Sequence, residues 1–225
     1  MGQTNSSEAF NLLSFEYYAG ATRNGDSCTI THSRFTGGGK SIRISSISST
    51  IPVNGMRVDS NEFINPYFVA IESSYALGHS RIEGNLITDT TDFADFKAIN
   101  IANYATNVAI RGNRIAVQGN GTGIDISNST TLPTTLENRI VNNFVQIGTT
   151  APAIGIKATG KWLRILHNTV RMTSSSPAAV AAQLTPDANT GGIVAQNNIF
   201  VNSGGGYAIR VLQTSFASAL TSNYN

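Results

Sequence analysis

A single cysteine, Cys28, in 225 residues excludes an intrachain disulfide framework. Charge is also scarce, at 12% of positions, roughly half the usual share. With a formal net charge of +2 and no polybasic run, the chain offers nothing to a nucleic-acid partner. It contains no apolar run long enough to cross a bilayer, so membrane insertion is not expected. The opening MGQTNSSEAF has neither a basic start nor an apolar stretch and does not read as a secretory leader. An amphipathic helical stripe is missing too, including at either end where a solenoid would carry a cap.

What is present is Ser, Thr, Asn and Gly around short Ile/Val runs. Residues 191–211, GGIVAQNNIFVNSGGGYAIRV, read as three short apolar strands separated by an Asn pair and a glycine turn. That circuit recurs. The template apolar-x-x-Asn-x-apolar fits VDSNEF (58–63), IEGNLI (82–87), IRGNRI (110–115), IVNNFV (140–145), ILHNTV (165–170) and VAQNNI (194–199). ITHSRF (30–35) carries Ser33 in the Asn place, and LTSNYN (220–225) fits until its last residue. Successive copies lie 24 to 30 residues apart. Between them fall apolar-x-apolar pairs such as Ile42/Ile44, Val69/Ile71, Ile99/Ile101, Ile124/Ile126, Ile154/Ile156 and Ile209/Val211. A period this long without helices excludes the helical repeat families, and the Leu spacing of leucine-rich repeats is absent.

The economical solution is an all-β, parallel β-helix of seven to eight coils, with equivalent strands stacked about 4.8 Å apart. Asn61, Asn85, Asn113, Asn143, Asn168, Asn197 and Asn223 then form a column at one corner. Asn tolerates left-handed backbone angles, and stacked amides satisfy one another along the axis. Gly84 and Gly112 precede two of them, as a strained turn asks.

This corner-Asn repeat resembles the right-handed parallel β-helix of the pectin-lyase-like superfamily from about Cys28 to Asn225. The strings NNIFVNSGGGYAIRV and LTSNYN look most like repeats of large secreted bacterial surface proteins. The resemblance implies an extracellular or cell-surface location. No composition shift divides the chain, so it reads as one domain over 1–225, with polar residues 1–8 a disordered lead-in and, because Asn225 stands where other coils carry an apolar residue, the C-terminus cut within a coil. The resemblance also implies that loops leaving the coils, at 45–54, 88–97, 127–137 and 173–178, wall a lateral groove. Function is open on that fold, which hosts lyases, hydrolases, phage tailspikes and non-catalytic surface proteins.

Two faces carry candidate residues. In the strand before each Asn, alternation points Arg57, Arg81, Arg111, Arg139 and Arg164 outward, with Asp59 and Glu83 alongside. Paired guanidinium groups suit a uronate or sulfated polysaccharide, whereas the plain alternative is a solvated sheet face. On the second strand, Arg43, Ala70, Asn100, Asp125, Gly155 and Arg210 read as outward. Asp125 and Lys157 belong to adjacent coils, and Asp89, Asp92 and Asp95 lie in a loop expected to overhang them. Under the resemblance such carboxylates beside a base belong to a lyase, which is the one reading that brings in calcium; paired Asp would serve a hydrolase. The spacing is not that of a calcium loop, and the hydrolase branch's Asp pair and Gly-His-Gly are missing. No residue is therefore carried over as catalytic, and no cofactor or metal is expected. Trp162 and Tyr207 are sugar-stacking candidates or loop-packing rings. His32, His79 and His167 read as turn residues that do not converge, and Cys28 as a buried, inert thiol. The leading expectation is a structural or adhesive surface segment with polysaccharide contacts on a lateral face.

Overall fold

The computed structural model describes residues 11–16, 27–46, 52–74, 77–93, 95–103, 105–128, 136–187, 191–212 and 220–225. The lead-in at 1–8, the two ends (10, 17 and 18) of the aromatic stretch 10–18 and the middles of the 45–54 and 127–137 loops lie outside the described residues.

Every described element is a strand, and every pairing is parallel to the strand one coil before or after. The first sheet has eight strands, running from Asn11–Glu16 through Gly121–Asn128 to Tyr207–Val211. The second, also eight-stranded, runs from Thr29–Thr31 through Ala109–Arg111 to Leu220–Asn223. A third of seven strands runs from Arg34–Thr36 to Ile199–Asn202, and short pairs such as Val53–Asn54 and Leu77–Gly78 form a small fourth. This is the parallel β-helix expected from the repeat.

The core forms by stacking like on like. Val58, Ile82, Ile110, Ile140 and Ile165 are in register on successive strands of the second sheet, each at most 1% exposed. Phe35 and Phe63 stack face to face at 5.0 Å between ring centres, nearly parallel. No single coil could bury these side chains alone, so the core is a property of the stack.

The Asn column exists, with two corrections. Its members are Asn61, Asn85, Asn113, Asn143, Asn168, Asn198 and Asn225. Each Oδ1 accepts the backbone N–H of the equivalent residue one coil earlier, starting from Ser33, at 2.9–3.0 Å. Each Nδ2 donates to a strand carbonyl of the previous coil at 2.8–3.0 Å. Asn197 and Asn223 are not in it. The last two coils place Ala195 and Ser222 where others place Ile, in register with Ile165, so the apolar template shifts out of phase there.

The left-handed residue is also not the ladder Asn but its predecessor. His32, Ser60, Gly84, Gly112, Asn142, His167, Asn197 and Tyr224 all have φ between 52° and 63°. A tight corner thus divides its two demands between adjacent positions, one for backbone angle and one for the amide.

On the first sheet the alternation breaks at a corner. Ser41, Ala70, Ala98 and Ala181 are fully buried, each immediately before an inward Ile or Ala. A Cβ on Gly155 would meet Val170 Cγ1 and the Ala181 carbonyl, so Gly155 also faces inward. Ala70 and Gly155 are therefore not outward, as strict period-two reading had them. The outward row in register is Arg43, Glu72, Asn100, Asp125, Lys157, Gln183 and Arg210.

Candidate functional site: an arginine-lined groove

The outer surface of the second sheet brings the arginines together. Arg57 is in register with Arg81, and Arg139 with Arg164, while Arg111 pairs with Glu83 on one side and Val141 on the other. Three- and four-residue strands hold the alternation strictly, which is why these side chains all project outward. Arg81, Arg111, Arg139 and Arg164 line an open groove of about 880 Å³, together with Glu83, Glu137 and the His79–Asn107 edge. His79 Nδ1 lies 3.1 Å from Asn107 Nδ2 across that edge.

The arginines are not equivalent. Arg57 donates to Asp59 at 2.9 Å, and its guanidinium holds the Asp59 carboxyl below the usual carboxylate range. Arg164 Nη2 lies 2.6 Å from Glu137 Oε1, and Arg139 Nη2 lies 3.9 Å from Glu137 Oε2. The Glu137 contact raises the Arg164 pKa further. Arg81 and Arg111 have no ion-pair partner among the described residues. Free guanidinium forks in an open groove are suited to carboxylate or sulfate oxygens.

Trp162 does not stand out as a free stacking platform. It occupies a left-handed corner (φ 57°) and its indole lies so close to Gly191 that a Cβ there would collide with the ring. A smaller cavity of about 250 Å³ is lined by Trp162, Glu137, Arg164 and Thr221. Tyr207 is half-exposed, with the Arg210 guanidinium 5.7 Å from its ring centre.

The acidic candidates assemble only in part: Asp95, Asp125 and Lys157 line one open cavity of about 530 Å³ with Lys97 and Arg210, while Asp89 and Asp92 are outside its lining. Asp125 and Lys157 are close, at 3.3 Å, but Lys97 from the coil before also reaches Asp125 at 2.8 Å. Glu72 is held the same way, by Lys40 at 2.7 Å and Arg43 at 3.8 Å. Asp92 and Asp95 are exposed. Asp89 is not in the overhanging loop at all: it ends the strand Leu86–Asp89 with its side chain fully buried. Thr91 donates its N–H and hydroxyl to Asp89 Oδ1, at 3.1 and 2.7 Å, while Oδ2 has no partner. Burial raises the Asp89 pKa, against those two hydrogen bonds.

A buried acid whose folded pKa is raised binds its proton more tightly folded than unfolded. Its favourable contribution is present below the unfolded value and is lost as pH rises through the folded one. Asp89→Asn is therefore expected to raise the urea midpoint at pH 7, with the gain shrinking as pH falls towards 4. Equal shifts at both pH values would show that Asp89 does not titrate in the core.

Metal donors are dispersed. All three histidines occupy left-handed corners of different coils, and His32 and His167 are five coils apart, about 24 Å along the axis. Cys28 is half-buried against the core, and Met56 and Met172 are fully buried in it. Among the described residues no three His, Cys, Asp or Glu side chains are grouped to hold an ion. Nor is any described helix long and apolar enough to cross a membrane.

No curated protein and no solved structure matches the chain significantly. One family model does match, over residues 3–170, about three quarters of the length. Its extent covers the stacked coils from the first Asn-type corner to Asn168, so the chain belongs to the β-helix family described as periplasmic copper-binding protein (NosD).

Proposed function

We propose that the chain is a rigid, non-catalytic β-helix working outside the cytoplasm, in the periplasm or at the bacterial surface, and that it binds an acidic polysaccharide along its second sheet. The observation that carries this reading is the arginine groove, with Arg81 and Arg111 lacking an ion-pair partner among the described residues and Arg139 and Arg164 beside them. A long solenoid face fits an extended polymer better than a compact metabolite. The carboxylates speak against hydrolysis, because Asp125 is clamped between two lysines and Asp89 is turned into the core.

The copper in the family's description finds no donor set among the described residues. Cu(II) favours imidazoles in a tetragonal array and Cu(I) favours thiolates and thioethers. This chain has three separated histidines, one cysteine and two core methionines besides Met1. These residues do not fit a copper centre within one chain.

Affinity electrophoresis through gels containing polygalacturonate, with a neutral glucan as control, tests the reading. The protein should be retarded by the uronan alone. The double variant Arg81→Ala/Arg111→Ala should bind about tenfold or more weakly, since a hydrogen bond to a charged group contributes about 1.5 kcal/mol. Retardation by neither polymer, or equally by both, would overturn the proposal.

A further inference from the structure

Resting on that reading, we infer that Glu137 is an internal carboxylate occupying part of the same anion site, and that displacing it extends the groove from two arginines to four and onward to Trp162. Three observations converge on this residue. Glu137 lies between Arg139 and Arg164 with one oxygen directed to each, the arrangement a uronate carboxylate would adopt. Glu137 and Arg164 border both the 880 Å³ groove and the 250 Å³ cavity beside Trp162, so their ion pair is the partition between the two spaces. The pair is also accessible, with side chains 26% and 41% exposed.

Half-exposed ion pairs contribute little to stability, so a polyanion presenting many carboxylates can compete for both arginines. The intramolecular pair then acts as a threshold. A short or weakly charged ligand meets only Arg81 and Arg111, whereas a densely charged chain displaces Glu137 and gains Arg139, Arg164 and the cavity beyond. The ligand class selected this way is a linear polymer with closely spaced carboxylates or sulfates, lying along the helix axis.

Glu137→Gln tests this directly, since the amide keeps the size of the side chain and removes its charge. Trp162 is the chain's only tryptophan, so its fluorescence reports on the far cavity without labelling. Titration with polygalacturonate of the wild type, Glu137→Gln and Arg81→Ala/Arg111→Ala is expected to show about threefold or more tighter binding for Glu137→Gln. The Trp162 emission should shift at lower polymer concentration in that variant. If the wild type binds, the double arginine variant does not, and Glu137→Gln binds with unchanged affinity and no earlier emission shift, then Glu137 is only a surface ion pair and the inference fails while polysaccharide binding stands. If wild type and Glu137→Gln both ignore the polymer, the binding proposal fails with it.

Discussion

Replacing Asn143 by leucine is expected to destabilise the folded chain by roughly 3–5 kcal/mol, measured as loss of the urea midpoint. Asn143 Oδ1 accepts the N–H and the Nδ2 of Asn113, both at 3.0 Å, and its Nδ2 donates to the Ile110 carbonyl and to Asn168 Oδ1. Leucine is close in size, so little packing is lost. What remains is a buried N–H on Asn113 and a strand carbonyl without its partner, and each such orphan costs about 1–3 kcal/mol. Asn223→Ala is the matched control. It is exposed and outside the ladder, so its effect should stay within about 0.5 kcal/mol. Similar losses for both variants would mean that the column is not the element holding these corners.

Phe63→Ala is expected to cost about 3–5 kcal/mol, the range for emptying a core aromatic site. Phe63 is fully buried, in register with Phe35 on one side and Ile87 on the other, and stacked on the Phe35 ring. The cavity left behind is lined by strands fixed by their own ladders, so collapse is limited. Ile64→Ala, on the same strand but half-buried, should lose much less. A Phe63→Ala protein as stable as the wild type would contradict a core built by stacking across coils.

Much of this architecture was legible because its two periodicities are simple. Strands before each Asn are only three or four residues long, so outward Arg81, Arg111, Arg139 and Arg164 follow from counting back from the corner. Reading failed where a side chain departs from the common pattern. Ala195 and Ser222 are small where Ile is usual, and the template slid onto Asn197 and Asn223 instead of Asn198 and Asn225. On the first sheet, the corner buries two consecutive residues, one small and one apolar, which strict alternation does not anticipate. Asp89 read as a loop residue because Asp is rare inside, yet it continues the strand Leu86–Asp89. Glu137 carried a signal that went unused: it stands two places before Arg139, and Arg139 stacks on Arg164 one coil later.

The arginine groove and the ladder both depend on coils stacked in this register, which side-chain amide proton contacts measured by nuclear magnetic resonance report most directly. The account predicts cross-peaks joining Asn61 to Asn85, Asn85 to Asn113, Asn113 to Asn143, Asn143 to Asn168, Asn168 to Asn198 and Asn198 to Asn225, with Asn197 and Asn223 outside the series. Asn amides whose contacts run instead to residues a few positions away in sequence, as in antiparallel hairpins, would contradict it.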